Sequence, residues 1–176
     1  VTAVWLYANN ILLGSTGVND ANAWAFTYSG TSAPLANGTY QITAVTVDRT
    51  GNRSVVSSPL SVTIDTVVNA PQSLMLVAAS DSGARGDGIT RYTDSLRIQG
   101  TGEARATLRI FDDRNNNGRL DIGEELDITA GYNTVAANGN FTIILANPLT
   151  VGDHTLRVIQ TDVAGNISTA STALNL

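Results

Sequence analysis

Two stretches of this chain carry the same order of apolar runs and turns, and that internal repeat restricts the fold more than any other feature. Residues 4–7 align with 108–111, 23–27 with 140–144, and the turn at 34–38 with 148–152. Downstream, 39–48 matches 153–162, and Gly51, Asn52 and Ser54 match Gly165, Asn166 and Ser168. Order and spacing hold throughout, so the chain contains two copies of one module. The second copy has two further strand candidates before the matched region, 73–79 and 95–100, with no counterpart in the first. The expectation is a partial module over 1–65 that lacks its two opening strands, a linker over 66–71, and a complete module over 72–176.

The runs alternate with period two and are rich in Thr, Val and Ile, which marks strands and not helices. In the complete module they fall at 73–79, 95–100, 106–112, 126–130, 140–145, 154–161 and 168–176. Seven short antiparallel strands with turn signals every ~8 to 12 residues are the pattern of an immunoglobulin-like sandwich. The expected fold class is all-β, with two such sandwiches in tandem. Alternation assigns one inner face to Leu96, Ile98, Leu108, Ile110, Phe141, Ile143, Leu156, Val158 and the nearby Ile159. In the first module Trp5, Trp24, Phe26, Tyr40 and Ile42 take that place. Core packing is a stronger reading of these aromatics than a stacking platform for a ligand.

Composition narrows function by exclusion. The formal charge is −5 and all ten basic residues are arginine. An acidic balance argues against nucleic-acid binding, because phosphate contacts need clustered positive charge. No apolar stretch approaches the ~20 residues that span a bilayer, and no charged-then-apolar signal segment opens the chain, so a soluble fragment without membrane insertion is expected. Cysteine is absent, so in an extracellular setting a cation is the available crosslink. Catalysis is not expected: there is no thiol nucleophile, no glycine-rich phosphate loop and no GxSxG sequence. The single histidine, His154, opens a strand candidate and reads as a solvated strand-start residue, not a general base.

Residues 113–124 point to a metal. Oxygen-bearing side chains occupy positions one, three, five, nine and twelve of this stretch (Asp113, Asn115, Asn117, Asp121 and Glu124), Gly118 is at six, and Arg119 at seven offers a main-chain oxygen. That is the ligand spacing of a calcium loop of the EF-hand type. A hard cation takes about six to eight oxygens, so alternate residues must point inward, a glycine must permit a sharp turn, and a terminal carboxylate closes the shell. The bland alternative is a solvated turn whose Asn and Gly residues favour left-handed backbone. The flanks alternate with period two, so strands and not helices are expected on both sides.

Sandwich topology groups the other acids, because successive connections alternate between the two ends. Asp65 beside the linker, Glu103 and Asp162 can converge at the entrance of the second module, with Asn166 close by. Asp81 and Asp87 belong to the far end, towards the 113–124 loop. Unpaired carboxylates repel one another, and a calcium ion resolves that. Asp48, followed by Gly51 and Asn52, is equally readable as an Asx turn in a tight loop.

The stretches 38–44, 47–54, 62–66, 80–90, 100–104 and 161–168, taken in their order, resemble the Ig-like repeats of giant RTX-type bacterial adhesins. The resemblance covers nearly the whole chain. It implies a type I secreted or surface-anchored extracellular protein in which calcium-binding repeats form a stalk. Its partners would be neighbouring repeats of the same chain and, through a distal tip, a host or abiotic surface, in cell adhesion or biofilm formation. The sequence departs from the pattern at its start, where two strands are missing, and in the long acidic loop. A different class is an accessory carbohydrate-binding module of a secreted polysaccharide-active enzyme, which a row of aromatics on one outer face would favour.

Overall fold

The computed structural model describes residues 1–29 and 34–176. It is all-β, without a helix among the described residues, and divides into two compact units, Val1–Thr66 and Val67–Leu176.

In the first unit β1 (Ala3–Ala8), β2 (Ile11–Gly17), β3 (Gly38–Val47) and β4 (Leu60–Ile64) form one antiparallel sheet in the order β2-β1-β3-β4. Asn9 and Asn10, with φ of 47° and 68°, make the two-residue turn that matches the twist of a hairpin. Val4, Leu6 and Ala8 are the buried face of β1, at 1%, 8% and 3% exposure. These positions align with Leu108 and Ile110 of the second copy, which places Trp5 opposite Arg109, on the other face. The expectation that Trp5 is core is corrected: the Arg53 guanidinium stacks over its ring at 4.4 Å. Trp24 is corrected too, being 46% exposed, while Phe26, Tyr40 and Ile42 are only half-buried. The reason lies in pairing. Residues 23–27, the counterpart of a ladder strand in the second copy, form no strand in the first unit, so among the described residues the aromatics they carry have no second sheet to close over.

The second unit contains β5 (Gln72–Leu76), β6 (Arg97–Thr101), β7 (Thr107–Asp112), β8 (Glu125–Leu126), β9 (Asn140–Ile144), β10 (Thr155–Thr161) and β11 (Leu174–Asn175). Seven strands stand in the expected order and make two sheets, β11-β10-β7-β8 and β5-β6-β9. Their facing side chains pack one core in which Leu96, Ile98, Leu108, Ile110, Ile143, Leu156 and Val158 are at most 2% exposed. Ile159 is corrected: strict alternation along β10 turns it outward and brings Gln160 inward, 1% exposed.

The stretch at 168–176 is mostly not a strand, and serine is the cause. Ser168 and Ser171 hydroxyls accept from the main-chain N–H groups of Gln160 and Val158, at 3.0 Å each, where a ladder would use a carbonyl. The first unit repeats the device: Ser54 and Ser57 accept from Thr46 and Ala44, again at 3.0 Å.

Candidate metal centre

The 113–124 loop is the tip of the β7–β8 hairpin. Ile110 pairs with Leu126 and Phe111 with Glu125, and Asp112 N–H donates to the Glu124 carbonyl at 3.0 Å, so both ends of the loop are fixed by ladder bonds. The flanks are strands, as the period-two pattern requires. Inside the loop the oxygens turn inward through local bonds. Asp113 accepts from Asn117 N–H and Gly118 N–H at 2.9 Å each, and Gly118 at φ 72° makes the turn that brings its N–H there. Asn115 and Asn117 Oδ1 accept from the N–H two residues on, at 3.1 and 2.7 Å, and their amides both donate to Asp121 Oδ2 at 2.8 Å. Glu124 reaches back to accept from Arg114 N–H and Asp121 N–H at 3.1 Å. Asp113 and Glu124 are buried, at 1% and 6% exposure.

Three groups missed by sequence reasoning hold this loop. Arg157 donates through Nε to Asp113 Oδ2 at 2.7 Å, and through Nη2 to Asn116 Oδ1 at 3.2 Å. Burial opposes the Asp113 charge, but the Gly118 N–H, Arg157 and the Asn117 N–H outweigh it, so the carboxyl lies below its usual range. Asp112 and His154 are the other two. His154 is corrected from a solvated residue to a clamped one: its side chain is 10% exposed, Nδ1 lies 2.8 Å from Asp112 Oδ2 and Nε2 2.9 Å from the Thr150 carbonyl. Burial pushes its pKa down, yet the Asp112 hydrogen bond, the Thr150 carbonyl and the Asp112 charge raise it overall. The alternation signal for Arg157, a charge between Leu156 and Val158 facing out of the core, was present in the sequence, but its partner lies 44 positions away.

At the entrance of the second unit, carboxylate oxygens of Glu103 and Asp162 come within 4.8 Å of each other. Gln160 organises this end: its Oε1 accepts from Glu103 N–H at 3.0 Å and its Nε2 donates to the Asn69 carbonyl at 2.7 Å. A Cβ on Gly102 would collide with that carboxamide and displace it from its bonds to Glu103 and Asn69. Asp162 Oδ1 accepts from Ala164 N–H and Asn166 N–H at 2.9 and 2.8 Å, and Oδ2 from Asn166 Nδ2 at 2.7 Å. Burial raises its pKa, but the Asn166 side chain and the main-chain donors outweigh that and lower it. Asp48 makes the same turn in the first unit, with donors from Thr50 and Asn52, and its pKa falls to about 2. Asp65 is the residue after β4, half-buried.

Asp81 and Asp87 shape their own loop: Asp81 Oδ2 accepts from Gly86 N–H at 2.7 Å, and Asp87 Oδ1 from Ile89 N–H at 2.9 Å. Among the described residues, no hydrogen bond or ion pair joins them to the 113–124 loop. Asp81 Oδ1 is buried with no donor, an oxygen that a cation would satisfy. Every donor in the loop, at the entrance pair and at Asp81 is oxygen, without sulfur or imidazole, which suits a hard cation such as calcium.

The family model of the bacterial Ig-like domain matches residues 1–66 and 68–176. The chain belongs to the bacterial Ig-like domain family. Among solved structures, this Ig-like pair is loosely similar to the fibronectin(III)-like modules of Clostridium thermocellum CbhA, at 19% identity and a TM-score of 0.39 over 99% of this chain and 76% of that one. A 1.5-MDa bacterial ice-binding adhesin matches at 19% identity and a TM-score of 0.40 over 98% of this chain and 52% of that one. Parabacteroides merdae β-glucuronidase matches at 15% and 0.32, over 99% of this chain and 21% of the enzyme. Likenesses this distant carry no functional argument. No curated protein matches the chain.

Proposed function

We propose that this chain is a calcium-stiffened stalk segment of an extracellular bacterial surface adhesin of the RTX type, which holds an adhesive tip away from the cell in adhesion or biofilm formation. The observation that carries the reading is the twelve-residue hairpin tip, 113–124, whose oxygen-bearing side chains fold inward between two paired strands. Asp113, Asn115, Asn117, Asp121, Glu124 and the Arg119 carbonyl hold the cation; calcium supplies a crosslink that the cysteine-free chain lacks. A second ion is held by Glu103 and Asp162, and Asp81 with Asp87 offers a further position. The mechanism is mechanical. A free linker lets neighbouring modules swivel, and a cation that ties the linker to the following module replaces that freedom with a defined angle. Magnesium competes poorly, because its small octahedral shell fits badly in a flexible loop that ends in a bidentate carboxylate.

Calcium titration by calorimetry tests the loop. Wild-type protein binds calcium, and Glu124→Gln loses one site or binds it about tenfold more weakly. Unchanged stoichiometry and affinity in Glu124→Gln would mean that the loop does not hold the ion.

A further inference from the structure

The outer face of the β5-β6-β9 sheet carries a feature that the stalk role does not use. Two rungs of outward side chains cross it, Met75–Gln99–Thr142 and Thr101–Asn140, set by the register of β5, β6 and β9. The chain from 129 to 139 rises beside this face as a wall and borders a shallow, open trough of about 680 Å³. That size falls in the ~300–1,000 Å³ range of small-ligand sites.

The wall is not a loose loop. Thr129 N–H donates to the Ile144 carbonyl and Leu108 N–H to the Asn133 carbonyl, at 2.8 Å each, and Val135 exchanges both main-chain bonds with Arg105 and Ala106 at 2.9 Å. Strands on both sheets therefore pin it, and a ligand would meet a surface that is already ordered. Tyr132 stands on this wall at 42% exposure, with Met75 at 47% across the floor.

The lining is electrically blank. No Asp, Glu, Arg or His lines the trough, although the chain carries 15 acidic and 10 basic residues. The polar groups are amides and hydroxyls, from Gln99, Asn138, Asn140, Thr101, Thr134 and Thr142. An anionic ligand would find no cation here, and a peptide strand would find Met75 and Tyr132 but no apolar row. Amides and hydroxyls beside one exposed aromatic ring suit a ligand that offers many hydroxyls and one apolar face.

We propose that this trough binds a short neutral oligosaccharide, with a sugar ring laid against Tyr132 and its hydroxyls bonded by Gln99, Asn138 and Thr142. A single aromatic contact makes the binding weak, and function would come from repetition of the module along a surface. The site is separate from the carboxylates of the proposed calcium centres, so chelation leaves it intact.

The test is an NMR titration of the full chain with cellohexaose and maltohexaose, with hexagalacturonate as the charged control. Saturable shifts with at least one neutral hexaose, centred on Gln99, Tyr132 and Thr142, are expected, and hexagalacturonate gives none. Tyr132→Ala weakens binding about tenfold while the spectrum of the core stays unchanged. Gln99→Arg places a charge on the floor and reduces the affinity for the neutral sugar. No saturable shift with either neutral hexaose, shifts centred elsewhere, equal binding of hexagalacturonate, or an affinity indifferent to Tyr132→Ala would each overturn the proposal.

Discussion

The Asp113 side chain is fully buried, and an anion there persists only with a partner; Arg157, whose side chain is 18% exposed, is that partner at 2.7 Å. Removing one member of such a pair leaves a buried charge uncompensated. Arg157→Ala is expected to cost about 3 kcal/mol in chelator, and less in calcium, because the ion supplies positive charge at the same carboxylate. Urea unfolding in both conditions reads the difference; an equal loss in each would detach Asp113 from calcium. His154 gives a pH dependence of definite sign. Its folded pKa lies above the unfolded 6.5, so the clamp on Asp112 is fully present below 6.5 and is lost as pH rises through the raised folded value. The stability gap between wild type and His154→Gln is therefore expected to narrow as pH rises from acid to alkaline, and a gap that widens would reverse the assignment. At this scale the sequence shows ligand spacing within one loop, since that spacing is local. It does not show Arg157 or His154, because their partners lie 44 and 42 positions away and only the β7–β10 register brings them together.

Among the elements, β10 carries the organisation of both ends. Its inward row of Leu156, Val158 and Gln160 begins in the core and finishes in a buried carboxamide that ties Glu103 to Asn69. Gln160→Leu keeps the volume and removes both bonds, which strands one main-chain donor and one acceptor. A loss of roughly 2–3 kcal/mol is expected, with weaker calcium binding at the Glu103–Asp162 pair; an unchanged unfolding midpoint would show that those groups find water instead. Strand order and the inner face were legible from alternation in the second module. Two elements were not. Aromatic size made Trp5 look like core, although the repeat alignment already put it opposite Arg109. The stretch at 168–176 looked like a strand because its Thr residues suit one, while Ser168 and Ser171 use their hydroxyls to occupy ladder donors.

For the whole molecule, the two units differ in how much apolar surface they bury. The continuous core lies in the second, whereas the first buries Val4, Leu6 and Ala8 and leaves Ile11, Val55 and Leu60 at 73%, 90% and 64% exposure. Less burial leaves less free energy against the cost of ordering the chain, so amide exchange is expected to be faster in residues 1–65 than in 72–176. The reverse ranking would mean that the first unit has cover not visible in its packing. The repeat itself was legible because Asp48, Gly51, Asn52 and Ser54 keep the spacing of Asp162, Gly165, Asn166 and Ser168. Stiffening by calcium would act on the whole molecule, at the connection between modules. Small-angle scattering of the whole chain, in calcium and after chelation, tests it most directly. Chelation is expected to broaden the distribution of interatomic distances and to leave the β circular dichroism unchanged; superimposable profiles from a chain that calorimetry shows to bind calcium would rule out stiffening.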